Sequence, residues 1–261
     1  MDERSSYQRW MERSQNLPGS LLRRWNAFRN KRTADRWTPP AGTHYPGFRA
    51  VLELSRVPSD ISEHLPALFL EALEAEARLM VELGTRSGDS TFALTEAAKL
   101  LDATLVSVDI EDCSVVSEYP RWHFVQCDDL AFAEEFDHWC RNRTISPEID
   151  LLFVDTTHAY LQTVKELEAW MPLLSPRGRA IFHDTNMGGR YRRSDGTTGR
   201  ANNNERGVIR ALEEFLGAPM DETRSFRTFL RGFSVTHFPL CNGLTVLRSL
   251  PNVGSTSATI S

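Results

Sequence analysis

The chain has 261 residues, 41% of them hydrophobic, and a formal charge of −5, which is the profile of an ordinary globular α/β domain with decorations. Mild acidity offers no global attraction to nucleic acid or anionic membrane. No apolar run approaches the roughly 20 residues that span a bilayer, and Met1–Arg13 lacks the apolar core of a secretory signal, so a cytoplasmic protein is expected.

The four cysteines, Cys113, Cys127, Cys140 and Cys241, form no CxxC or CxxxC pair. Zinc-finger and disulfide-framework readings lose support, and reduced thiols are expected. The first 48 residues hold nine Lys/Arg against four acids, and three of the six tryptophans, before Thr38-Pro39-Pro40-Ala41-Gly42 breaks any helix. Residues 1–58 read as a basic, Trp-rich helical extension. It is a cap over a ligand, a docking face for a second subunit, or plain packing on the main domain.

Residues 59–250 are regular. Ser59-Asp60-Ile61-Ser62-Glu63 supplies capping residues for a helix running toward Arg78. Apolar runs follow at Leu79–Leu83, Thr104–Val108, His123–Val125, Ile149–Val154 and Ala180–Phe182, interleaved with amphipathic segments Ser90–Leu101, Leu130–Arg141 and Tyr160–Leu173. That alternation predicts βα repeats and a doubly wound, mostly parallel sheet. Gly207–Leu216 reads as a further helix, and Phe229–His237 and Leu244–Leu250 as two strands finishing the sheet like a hairpin. Between them and the fifth strand, residues 187–206 (MGGRYRRSDGTTGRANNNER) are twenty residues almost without apolar content. A loop so long is functional or disordered; a mobile lid over an acceptor is expected. The Ser/Thr-rich tail 251–261 reads as disordered.

The first strand ends in Glu82-Leu83-Gly84-Thr85-Arg86-Ser87-Gly88-Asp89-Ser90. A glycine turn between strand and helix brings backbone N–H groups close to a ligand. The dinucleotide fingerprint fails, because Arg86 stands where its second glycine would be and blocks a pyrophosphate. S-adenosylmethionine (SAM) is a nucleoside ligand without one. Asp109, closing the second strand about 20 residues on, suits ribose hydroxyls. Asp128, closing the third, suits the adenine amine, with Cys127 or Ile110 against the ring. Each acid alone is equally a helix cap; the two at successive strand ends suggest a site.

These segments resemble the class I SAM-dependent methyltransferases: ELGTRSGDST their first motif, VSVDI their ribose-binding strand end, VQCDD their adenine-side segment. The resemblance implies a Rossmann-like fold, and it carries Glu82, Gly84, Ser90, Asp109 and Asp128 into a cofactor site. Gly88 serves the turn, and Thr85, Ile110, Cys127 and Asp155 complete the candidate set.

The fourth strand delivers Asp155 to its carboxyl edge, His158 follows three residues later, and the fifth strand ends Phe182-His183-Asp184-Thr185-Asn186. Adjacent parallel strands lie about 4.8 Å apart, so Asp155 and Asp184 can converge on one hard cation, Mg²⁺ in preference to Zn²⁺. The arrangement is similar to the metal-dependent O-methyltransferases, catechol O-methyltransferase and the macrolide-sugar and related carbohydrate enzymes. That likeness implies Asp155 and Asp184 as ligands and His158 as base. The third ligand there is a neighbour of the second acid; here Thr185 and His183 are the candidates, neither typical, with Asn186 one residue further. A hydrogen-bonding loop that includes Arg190 and Tyr191, with Tyr160 and His237 at the same end, favours a sugar or oligosaccharide hydroxyl over a catechol as acceptor. A homo-oligomer stays open. Two rival readings remain. One is a tailoring enzyme like those called cephalosporin hydroxylases, with His158, His183 and Asp155 as a two-His-one-carboxylate iron triad. The other is a non-catalytic SAM-binding partner module.

Overall fold

Eight strands form one sheet in the computed structural model, which describes residues 45–187, 190–192, 198–200 and 206–250. The extension up to residue 44 and the tail 251–261 lie outside the described residues. So does most of the Gly/Arg/Asn-rich loop.

The chain begins with α1 (Phe48–Leu54) and α2 (Leu65–Glu74). It then enters β1 (Leu79–Leu83), α3 (Asp89–Leu101), β2 (Thr104–Asp109) and β3 (Trp122–Gln126). α4 (Asp129–Arg141), β4 (Ile149–Val154), α5 (Tyr160–Trp170) and β5 (Leu174–His183) follow. β6 (Arg190–Arg192) and β7 (Thr198–Arg200) pair only with each other, and α6 (Gly207–Leu216) leads to β8 (Phe226–Leu230), β9 (Phe233–Phe238) and β10 (Leu244–Ser249). The spatial order is β3-β2-β1-β4-β5-β10-β9-β8, parallel from β3 to β5 and antiparallel beyond. This is the Rossmann-like, mostly parallel sheet with an antiparallel finish.

Strand side chains alternate between faces, and each face is covered. Val81, Val106, Leu152 and Phe182 join Phe132, Phe136 and Trp170 in one core under α4, α5 and α6. Met80, Leu105, Phe153 and Ile181 join Phe69 and Leu94 in the other, under α1, α2 and α3. From β1 the chain moves outward to β2 and β3, then returns past β1 to β4. Successive connections therefore diverge between β1 and β4, and the crevice left at their carboxyl ends is where such sheets take ligands.

Several expectations shift. Phe48 and Val51 are buried, and Phe48 lies 5.1 Å from Phe69, ring to ring, so α1 belongs to the main domain and the extension drawn to residue 58 ends sooner. The helix expected to reach Arg78 stops at Glu74 and starts without a side-chain cap bond. Between β8 and β9 the turn is Arg231-Gly232, both at positive φ (47° and 82°), the two-residue loop whose twist suits a hairpin. The finish therefore has three strands, not two. The Gly/Arg/Asn loop is not structureless, since it contains the β6–β7 ribbon.

Candidate active site

Three strand ends are tied together at the crevice. Gly84 N–H donates to the Val108 carbonyl (2.9 Å) and Asp155 N–H to that of Leu83 (2.8 Å), binding β1 to both neighbours. Gly84 has φ +90°, and a Cβ there would sit 2.1 Å from the Asp155 carbonyl oxygen. Only glycine lets the fourth strand end pass so close. Gly88 (φ +84°) begins α3 and is packed against Val116.

A cavity of about 520 Å³ opens over this junction, lined on one side by Gly84, Arg86, Asp109, Ile110, Glu111, Cys127 and Asp128. Asp129, Asp155, Thr156, Thr157 and Gln162 line the rest. Ile110 is 70% exposed, an apolar side chain presented to the opening with little of its surface covered. Asp109 Oδ2 accepts from the Thr85 and Arg86 N–H groups (2.8 and 3.0 Å) and its Oδ1 from Glu111 N–H, so it fixes the turn as well as facing the cavity. Asp128 Oδ1 caps α4 through Leu130 and Ala131 N–H; the cap and the cavity-lining position coexist. Arg86, at φ +45°, reaches back to Asp60 (2.7 Å).

Glu82 and Ser90 belong elsewhere. Glu82 is fully buried and accepts from the hydroxyls of Ser90 (2.6 Å), Thr91 (2.7 Å) and Ser107 (2.5 Å). Burial raises its pKa to about 7 against those three bonds, which lower it. The pair supports the turn from the α3 side and does not line the cavity. Thr85 is likewise buried.

Asp155, which lines the cavity, also belongs to a cluster of carboxylates and imidazoles. Asp155, His158 and Asp184 are the three-residue group among the described residues whose ligand atoms lie within 4.8 Å of one another. His158 Nε2 is 2.6 Å from Asp184 Oδ2 and 3.4 Å from Asp155 Oδ1. His183 Nδ1 approaches the same two oxygens at 3.3 and 3.2 Å. Burial works against charge on all four groups, and their mutual attraction overcomes it. His158 is pushed up to about 10 by its bonds to Asp155 and Asp184, His183 well above its usual value, and both aspartates below theirs. With both carboxylates turned toward it, the protonated form of His158 is favoured. His158 and Asp184 both have positive φ (60° and 56°), strain of a kind that collects at functional sites. Asp184 Oδ1 is buried without a hydrogen-bond partner.

A divalent cation fits this donor set: two carboxylates, one with an orphaned oxygen, and two imidazole nitrogens within 3.4 Å of them. Thr185 does not contribute to it. Its hydroxyl is turned to His237 Nδ1 (3.5 Å) beside Gly243. His237 is fully buried, bonded to Thr245 Oγ1 (2.8 Å) and the Glu222 carbonyl (2.8 Å) and stacked on Phe226; it cannot touch an acceptor. Tyr160 donates its hydroxyl to Glu214 and lies under the Arg210 guanidinium, 4.0 Å from the ring centre, so it braces α6 and not the cavity. Arg190 and Tyr191 are described only as backbone in the β6–β7 ribbon. Sequence reasoning passed over Glu111, Thr156, Thr157 and Gln162. They sit just after strand ends or at a helix start, and that position was their one signal.

No curated protein matches the chain in sequence. Residues 81–185 match a family described as a methyltransferase domain. Among solved structures, the SAH-bound methyltransferase PaMTH1 of Podospora anserina is 15% identical, with a TM-score of 0.51, over 78% of this chain and 87% of that one. The MycE methyltransferase of the mycinamycin biosynthetic pathway, in complex with Mg and SAH, is 19% identical, with a TM-score of 0.54, over 84% of this chain and 58% of that one. No helix of the described residues is long and apolar enough to cross a membrane.

Proposed function

We propose that this chain, whose residues 81–185 match a methyltransferase domain, transfers the methyl group of SAM to a hydroxyl oxygen of a sugar or glycoside, assisted by a divalent cation. The observation that carries this reading is that Asp155 belongs both to the nucleoside-sized cavity and to the carboxylate cluster. Donor and acceptor sites therefore share a wall.

In this reading Ile110 and Cys127 hold the adenine faces and Asp109 and Glu111 meet the ribose, while the glycine turn keeps the floor of the cavity free of side chains. SAM brings an activated methyl group on a sulfonium, so alignment is the protein's largest contribution, about 7–11 kcal/mol. A divalent cation held by Asp155 and Asp184 would supply charge that acidifies and orients an alcohol, worth several kcal/mol. His158 is the proton acceptor, contributing on the order of 10²–10⁴ in rate. Its Nε2 borders both carboxylates, and its proton is held there only while their charge is directed at it. The sugar acceptor rests on the polar composition of residues 187–206.

The test is product analysis after incubation with SAM, a divalent cation and a mixed panel of glycosides and catechols. A methylated glycoside is expected. Methylation of catechols alone would reject the acceptor class, and no methylated product with either panel would count against transfer to oxygen.

A further inference from the structure

Resting on the metal-assisted reading above, we propose that His183, through Nδ1, is the third protein ligand of the cation held by Asp155 and Asp184. The site then selects a first-row transition metal such as Mn²⁺, Fe²⁺ or Co²⁺ over Mg²⁺. Nδ1 lies 3.2 Å from Asp155 Oδ1 and 3.3 Å from Asp184 Oδ2, facing the two oxygens around which a cation would sit. The other ring nitrogen, Nε2, is 3.1 Å from the Cys241 carbonyl. A carbonyl can only accept, so a neutral ring carries its hydrogen on Nε2 and leaves the Nδ1 lone pair aimed at the carboxylates. Ligating histidines are held in this way, the far N–H bonded to a backbone carbonyl so that tautomer and ring direction are fixed.

The surroundings hold that ring in place. His183 is 1% exposed, and the His64 ring packs edge-on against it at 5.6 Å. His64 Nε2 bonds the Leu240 carbonyl (2.8 Å), the residue before Cys241, so consecutive carbonyls of one turn serve two imidazoles. That turn runs through Cys241, Asn242 and Gly243, all at positive φ (48°, 65°, 87°). It is clamped to the fifth strand end by Asn186 N–H on the Asn242 carbonyl (2.6 Å) and Asn186 Nδ2 on that of Pro239 (2.8 Å). A strained turn persists when its surroundings over-determine it, and here the product is a directed imidazole. The Thr185 hydroxyl lies toward His237, 3.5 Å from its Nδ1, which leaves the imidazole of His183 as the neutral donor seen beside the two carboxylates. Mg²⁺ takes oxygen ligands and water, whereas imidazole suits first-row transition metals.

The test is calorimetric titration of the full chain, with SAH present, by Mg²⁺, Mn²⁺ and Co²⁺ in turn, together with pulsed EPR of the Mn²⁺-loaded protein. Mn²⁺ and Co²⁺ should bind roughly tenfold or more tightly than Mg²⁺, and the EPR should report a directly coordinated nitrogen. That nitrogen signal should survive in His158→Gln and vanish in His183→Asp. The same His183→Asp chain should bind Mg²⁺ more tightly than the parent, a gain that misfolding cannot produce. Equal affinities without a nitrogen signal, or a signal lost in His158→Gln and kept in His183→Asp, overturn the proposal while leaving a cation at the carboxylates. If no cation binds the SAH-bound protein, the metal half of the proposed function falls as well.

Discussion

Replacing Gly84 by alanine puts the strand-end geometry to a severe trial. The new Cβ would lie 2.1 Å from the Asp155 carbonyl oxygen and 2.8 Å from its carbon. An ordinary C···O contact is about 3.3 Å, so the end of β4 must retreat by about 1 Å. Holding an L side chain at φ +90° costs roughly 1–2 kcal/mol, and stretching the Asp155 N–H bond to Leu83 about 1 kcal/mol more. Gly84→Ala should therefore lose about 2–3 kcal/mol in urea unfolding, a sum of those two costs. Function should suffer more than folding. Asp155 moves with its backbone, and a displacement near 1 Å in a reacting constellation costs on the order of 10²-fold in rate. Labelled-methyl transfer by the variant at a temperature where it stays folded would measure this. A variant that unfolds within about 0.5 kcal/mol of the parent, a difference typical of inconsequential substitutions, and turns over normally would refute the close approach.

Two further outcomes follow from buried groups. Glu82, with a folded pKa of about 7 against 4.5 for the free side chain, keeps its proton in the fold after the unfolded chain has lost it. Its contribution is complete below about pH 4.5 and is lost as pH rises to about 7, roughly 3 kcal/mol in all. Urea unfolding between pH 5 and pH 8 should show that slope, and Glu82→Gln should flatten it; equal slopes would contradict the assignment. His237→Leu leaves the Glu222 carbonyl and Thr245 hydroxyl unpaired and should cost about 2 kcal/mol while leaving the acceptor preference unchanged. A changed preference would return His237 to the acceptor site.

The parallel half of the fold was legible because its strands are short apolar runs between amphipathic helices. β1 and β4 have the expected bounds, β2 is longer by a residue at one end and β3 by a residue at each end. β5 begins six residues before the expected Ala180 because Pro176, Arg177 and Gly178 disguise its first half. Gly178 is small for a reason, since a Cβ there would meet the Ile149 carbonyl at 2.8 Å. β8 was hidden because Arg231-Gly232 is not a familiar turn pair. At the site, residues at strand ends were readable from position alone: Asp109, Asp128 and Asp155 line the cavity, and Asp184 lies in the cluster beside Asp155. Side-chain direction was not. Glu82 and His237 sit on strands, where one residue of register decides between a cavity and a core. The Nδ1 direction of His183 depends on a carbonyl 58 residues away, which no local pattern encodes.

A crystal structure of the full chain grown with SAH and Mn²⁺ would show whether a nucleoside site and a cation held by two carboxylates share Asp155. The adenine is expected between Ile110 and Cys127, the ribose at Asp109, and the metal on Asp155 and Asp184 within reach of the SAH sulfur. SAH bound elsewhere, or His158 still bridging two metal-free carboxylates, would overturn this reading of the site.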